Sequence, residues 1–261
     1  MSSTAGALHV PVEVWLALAA FVAGWVDAVV GGGGLIQLPA LVLAVPGALP
    51  AQILATNKAA SVAGTATSAL TYYRRVRPDL ATALPTAAVA FLGAAGGAVI
   101  GLHIPKSAFT PIVLILLVVV GAYTVLRPDL GSVTQLRHAG ARHTTLAVVT
   151  GLVIGTYDGA LGPGTGSFLV FALVGLLGYA FLDASATAQI VNVATNLGAL
   201  AVFAPGGHVL WRLAAVMAAA NLLGGYAGAR TAVALGSRFV RAVFLTVVAA
   251  FVVRLGWGLL G

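Results

Sequence analysis

The chain has 261 residues, of which 60% are apolar and 7% are charged, and its mean hydropathy is +1.06. A soluble domain carries about a quarter charged residues, so this composition excludes a water-facing globule and specifies an integral membrane protein. The net charge of +7 would suggest nucleic acid in a soluble protein. Here the arginines gather in short loops, as topogenic charge does on the cytoplasmic side of a membrane, and no nucleic-acid partner is expected. The absence of cysteine excludes a disulfide framework and a thiolate metal site. Long runs rich in Ala, Leu, Val and Gly, without strand alternation, favour helices over a β-barrel. The first apolar run has no basic segment before it and no small-residue cleavage site after it, so it reads as a retained helix.

In chain order, a polar start ends near His9, and a first helix over Val10–Val30 stops at the four glycines Gly31 to Gly34. Four consecutive glycines release a helix and allow close backbone approach. A second helix, Leu35–Val45, is cut short by Pro46 and spans only about half of a roughly 30 Å hydrocarbon core, which makes it a half-helix. The third, Pro50–Tyr73, ends at Arg74-Arg75-Val76-Arg77-Pro78. The fourth, Leu80–Leu102, ends at His103-Ile104-Pro105-Lys106. A fifth, Phe109–Leu126, leads into the longest polar loop, Arg127 to His143.

The second half follows the same plan: Thr144–Leu161, a break at Gly162-Pro163-Gly164, then Thr165–Tyr179, Ala184–Phe203, Arg212–Leu235 and Phe239–Leu260. The opening motif GWVDAVVGGGGLIQLPALV, from Gly24 to Val42, returns as GTYDGALGPGTGSFLVFALV, from Gly155 to Val174. Asp27 matches Asp158, Gly31 matches Gly162, and Gly33 matches Gly164. Ala55-Thr56-Asn57 recurs as Ala194-Thr195-Asn196, while Gly93 and Gly97 recur as Gly224 and Gly228. Landmarks repeated in the same order mark an internal duplication, and the small-xxx-small spacing lets helices pack closely.

The basic loops at Arg74–Arg77 and Arg127–Arg142 are separated by two crossings, so both can be cytoplasmic. Four further segments lead to Arg238 and Arg241 on the same side. Each repeat then makes an odd number of crossings, with the N-terminus outside. The expected fold is an all-α polytopic membrane protein of two inverted-topology five-segment repeats, each with a glycine-broken helix pair and a short half-helix. Residues 1–126 form the first repeat, 127–143 a basic cytoplasmic loop and 144–261 the second repeat, together one membrane domain. Inverted repeats with helices broken in matching positions are the sequence signature of a secondary transporter whose site lies between the repeats.

The residues that lipid would reject carry the chemistry. Asp27 and Asp158 stand just before the breaks, where each is an ion or proton site or a cap on freed backbone N–H groups. The clusters containing Gly33, Gly34, Gly164 and Gly166 feed the N-termini of the two short helices, where free N–H groups and the helix dipole favour an anion. Thr165, Ser167 and Gln37 add donors there. The alternative is a tight helix crossing without ligand. Neither cluster is a nucleotide loop, because no Gly-Lys-Ser/Thr follows it. Lys58, beside Thr56 and Asn57, has Leu197 as its repeat counterpart, and Thr195 and Asn196 share its setting. It is the counter-charge for an anion, the partner of Asp27 or Asp158, or a snorkelling side chain. Arg230 is a second anion contact or a cytoplasmic anchor. Glu13 and Arg254 suit the interface, and Trp25, Trp211, Trp257, Tyr72 and Tyr73 suit packing or the membrane belt. The histidines lie in loops and ends, apart from one another, so no metal site is expected.

GWVDAVVGGGGLIQLPAL followed by ATNK, with GTYDGALGPGTGSF and ATNLGAL in the second half, resembles the TauE/SafE family of sulfite exporters over nearly the whole chain. The resemblance implies an internally duplicated transporter of sulfur-containing anions such as sulfite or organosulfonates in the cytoplasmic membrane. It also implies coupling to an ion gradient, with H+ favoured over Na+. Carried over by motif, the functional positions are Asp27, Gly31 to Gly34 and Thr56, Asn57 and Lys58, with Asp158, Gly162 to Ser167, Thr195 and Asn196. The expectation is a non-enzymatic carrier without cofactor, since no nucleophile–base or metal-ligand set is legible. An anion channel and a non-transporting scaffold are the alternatives, and no helix face fixes an oligomeric state.

Overall fold

A computed structural model describes residues 11–103 and 133–260 of the chain, all of its regular structure helical. The segment expected over Phe109–Leu126, with Lys106 and Arg127, lies outside the described residues. The helices are α1 (Val12–Val30), α2 (Gly34–Ala44), α3 (Pro50–Arg75), α4 (Leu80–Gly101), α5 (Gly140–Ala160), α6 (Thr165–Ala172), α7 (Phe181–Phe203) and α8 (Trp211–Leu260). Among these, α1, α4 and α7 are long and apolar enough to cross a membrane. The 26-residue α3 is long enough, but Gln52, Thr56, Asn57, Lys58, Ser61 and Thr65 make it more polar than those three.

Local chemistry sets the helix ends. Gly31 adopts a left-handed φ of 77° and its N–H bonds the Asp27 carbonyl, which stops α1. Pro50 opens α3, where the Leu49 N–H donates to Gln52 Oε1 at 2.9 Å. Asp79 caps α4 by accepting from the Ala81 N–H at 3.0 Å and the Thr82 hydroxyl at 2.7 Å.

Four boundaries depart from the sequence reading, one of them the start of α7, at Phe181 rather than Ala184. Helix α5 begins at Gly140 rather than Thr144, because His143 is buried against Thr82 and Tyr179 and belongs to the helix instead of the loop. The second short helix ends its α-geometry at Ala172 and widens into a π-turn, Leu173–Leu177, closed by Gly178 at φ 88°. The segments expected over Arg212–Leu235 and Phe239–Leu260 are continuous in α8 apart from an interruption at Gly236, whose φ of 73° breaks the helical path.

Glycine sets the packing. A methyl group added at Gly24 would strike the Asn221 carbonyl, and one at Gly155 would strike that of Ala90. In the same way Gly224 faces Phe21 while Gly93 faces Leu152, and Gly228 faces Trp25 while Gly97 faces Thr156. Residue numbers rise together across both interfaces, so α1 runs parallel to α8, and α4 parallel to α5. The Ser68 hydroxyl donates to the Gly225 carbonyl at 3.1 Å and Gly64 abuts Asn221, which places α3 in the direction of α8. Between Arg75 and Leu80 the chain turns back into α4.

Each short helix returns along the long one before it. Leu38 and Leu41 of α2 share a cluster with Leu16 and Ala20 near the start of α1. At the far end of the π-turn, Leu177 and Gly178 accept backbone N–H groups from Arg137 and Gln135, just before α5 begins. The pairs α1–α2 and α5–α6 are therefore hairpins that enter from opposite ends of the bundle.

Candidate functional site

The tips of the two hairpins meet. The Ser167 N–H donates to the Gly31 carbonyl at 3.0 Å and its hydroxyl to the Val30 carbonyl at 2.8 Å. Gly31 and Gly166 lie main chain against main chain, with no space for a side chain on either. Two helix breaks in an apolar bundle thus satisfy part of their freed backbone against each other.

Beside this junction Lys58 Nζ lies 2.5 Å from Asp158 Oδ1, and each side chain is 2% exposed. The Thr165 hydroxyl also reaches Asp158 Oδ1, at 2.6 Å, and the Gly162 carbonyl at 2.8 Å. Asp158 Oδ2 is buried without a hydrogen-bond partner, as is Asn57 Oδ1. Asp27 is held by neutral donors: Oδ1 accepts from the Gly33 N–H at 3.2 Å and Oδ2 from the Asn192 amide at 3.4 Å. The Gln189 amide binds the Asp27 carbonyl at 2.5 Å. Buried charges demand partners, and here a single ammonium faces two carboxylates.

These groups line a narrow cavity with room for little more than a water molecule in this conformation. It gathers Asp27, Gly34, Asn57, Lys58, Asp158, Gly164, Thr165, Gly166 and Asn196, together with Gly31 and Gly162. Other residues singled out from sequence are placed elsewhere. Gly33 stands behind Asp27. Thr56 accepts from the Leu210 N–H at 3.0 Å, Gln37 Oε1 accepts from Asn221 at 2.9 Å, and Thr195 bonds back to the Asn192 carbonyl at 3.1 Å. Ser167 clips the two breaks together. Arg230 is exposed and bonds the Tyr226 hydroxyl at 2.9 Å, so it makes no contact with the cavity.

Asn192 and Ser61 line the cavity unforeseen. Their signal was periodicity: Gln189, Asn192 and Asn196 are three and four residues apart on one face of an apolar helix, and Ser61 lies one turn beyond Lys58. His143 is also displaced from its expected loop. It bonds Thr82 and Tyr179, each at 3.1 Å, in a second polar cluster with Asp79. Among the described residues no group of His, Asp and Glu is arranged to hold a metal ion.

An apolar helical bundle whose broken helices close on a buried ion pair is a membrane protein with an interior polar site, as membrane transporters are. The family model described as "Sulfite exporter TauE/SafE" matches residues 16–255, and the chain belongs to that family of membrane transporters. It is 36% identical over 241 residues to "Probable membrane transporter protein ORF9" of Sinorhizobium sp, covering 92% of this chain and 91% of that one. It is 33% identical over 236 residues to "Probable membrane transporter protein YfcA" of Escherichia coli K12, covering 90% and 86%. A "Probable membrane transporter protein" of Haemophilus influenzae is 34% identical over 221 residues, 85% of each chain. No solved structure matches the chain.

Proposed function

We propose that the chain is a multi-pass secondary transporter of a small sulfur-containing anion, sulfite or an organosulfonate, across the cytoplasmic membrane. In this reading transport is coupled to protons and the anion binds near the bilayer midplane between two inverted repeats. The observation that carries it is the Lys58–Asp158 pair, buried where the two broken helices meet and facing Asp27. An apolar bundle retains an ammonium at such a place for an anion or a proton relay. The family description, sulfite exporter, supports the choice of cargo.

The packing supports the inverted repeat. Matched glycines make matched contacts, Gly24 on Asn221 as Gly155 on Ala90, while the α1–α2 and α5–α6 hairpins enter from opposite ends. Rocking one half against the other would open the junction to each side in turn. The guest would take Lys58 from Asp158, helped by the Asn57 and Asn196 amides and the Thr165 hydroxyl. No enzymatic step is needed, because the guest leaves as it arrived.

The test is transport into proteoliposomes. Lys58→Leu and Asp158→Asn each abolish net proton-driven accumulation of sulfite or a sulfonate. Breaking a buried ion pair costs about 3–5 kcal/mol by leaving one charge bare. The neutral double variant Lys58→Leu/Asp158→Asn therefore separates misfolding from loss of function: it folds and does not transport. Wild-type rates in any of these variants refute the site.

A further inference from the structure

We infer that the cavity admits a singly charged anion and that one proton enters with it, so that the transported unit carries no net charge. The inference rests on the transport reading above and adds the charge of the cargo and the identity of the proton's carrier.

The argument is a count of charges in a dry place. Lys58 from α3 is the sole cation lining the cavity among the described residues, and Asp27 from α1 and Asp158 from α5 are the acids. The other elements contribute neutral groups: main chain from α2, Thr165 from α6, Asn192 and Asn196 from α7. Tyr157, next to Asp158, turns its hydroxyl to the Pro163 carbonyl at 2.7 Å. Asp27 is met by neutral donors and brings no cation with it, so in this count it is the neutral acid throughout and only Asp158 changes its charge. An uncompensated buried charge costs several kcal/mol, so one ammonium provides for one negative charge.

In this structure that charge is the Asp158 carboxylate, 2.5 Å from Lys58. A monovalent guest arriving at Lys58 would place two negative groups on one cation. Neutrality returns when a proton binds Asp158, whose Oδ2 is buried and unpartnered and so is the free seat for it. The step balances: one anion and one proton enter, the lysine keeps its charge, the carboxylate becomes a carboxylic acid, and no bond in the guest changes. On the other side the proton leaves, Asp158 recovers Lys58, and the guest is displaced. A divalent guest would leave one negative charge uncompensated even with Asp158 neutral. The site therefore distinguishes hydrogensulfite and sulfonates from sulfite dianion and sulfate by charge count, where size and shape are nearly alike.

The experiment uses the full chain in proteoliposomes containing a pH-sensitive dye, with membrane potential clamped at several values. The probes are methanesulfonate, with one charge at any working pH, sulfate, with two, and sulfite. Methanesulfonate influx is expected to acidify the lumen by one proton per anion, at a rate unchanged by the clamped potential, with sulfate at least ten-fold slower. Acidification is lost in Asp158→Asn. Influx that follows the potential, influx without protons, or sulfate moving as fast as methanesulfonate each overturns the inference while leaving anion transport standing. Acidification that persists in Asp158→Asn overturns the choice of carrier. If none of the three probes moves, the reading of sulfur-anion transport fails, and the inference fails with it.

Discussion

At the scale of single residues, burial separates polar side chains that hold the fold from those that face the cavity. Lys58 is 1% exposed and Thr56, two residues earlier, is 0% exposed, yet one faces Asp158 and the other accepts the Leu210 N–H. The sequence shows both as polar residues in an apolar run, but their partners come from distant segments and leave no local trace. Which aspartate meets Lys58 is illegible for the same reason, since the two motifs are nearly alike. Thr56→Val strands a half-buried backbone donor and is expected to cost about 1 kcal/mol of stability, with probe affinity unchanged. Thermal unfolding in detergent with and without methanesulfonate checks both halves. Asp79, outside the spanning segments, makes a pH prediction. Burial pushes its carboxyl up, but the Thr82 hydroxyl, the Ala81 and Thr82 amides and the Tyr179 hydroxyl outweigh that and leave it below the usual 3.8. A carboxyl lowered on folding adds stability that is present above its unfolded value and lost as pH falls through the folded one. The melting advantage of wild type over Asp79→Asn is therefore expected at neutral pH and should fade below about pH 3.8. An advantage that grows on acidification contradicts the assignment.

At the scale of elements, the breaks were legible, and so was the return of each short helix to the face its pair started from, but the contacts that hold the hairpins were not. Glycine clusters announce where a helix stops, and Gly31 and Gly162 indeed adopt positive φ, 77° and 90°. That α2 lies against α1 through Leu38 and Leu41 on Leu16 and Ala20 is a preference of packing with no signature in the eleven residues of α2. The π-turn at Leu173–Leu177 was likewise hidden, because its residues are as apolar and helix-compatible as those before it. The junction is the least tolerant point of the architecture. Gly31→Ala meets both a left-handed φ and the Gly166 main chain, and Gly166→Ala meets that of Gly31. Each is expected to abolish recovery of folded protein, whereas Gly47→Ala, with nothing within 4 Å of the added methyl, is expected to be neutral. Monodisperse yield from detergent extraction distinguishes the three, and normal yield for Gly31→Ala would remove the close junction.

At the scale of the whole molecule, contacts sort the loops into two ends. One end holds Leu49, the Thr56–Leu210 bond and the exposed Glu13–Arg212 pair at 3.0 Å, which ties the start of α1 to the start of α8. The other holds Asp79 with Tyr179, Gln135 with Gly178, and Leu182 with Ser237. Arg74, Arg75, Arg77, Arg137 and Arg238 accompany the second end, so the excess of basic loops predicts that this end faces the cytoplasm. The chain contains no cysteine, so a single introduced thiol reports its side without interference. Val133→Cys and Arg238→Cys are expected to react with a membrane-impermeant maleimide in inside-out vesicles only. Leu49→Cys and Trp211→Cys should react in intact spheroplasts only. With α1 starting at the outer end and α5 at the inner one, that pattern is what two oppositely inserted halves require. Labelling of all four positions from one side would leave the hairpin tips without a shared depth in the bilayer, and the Lys58–Asp158 pair without access to both compartments.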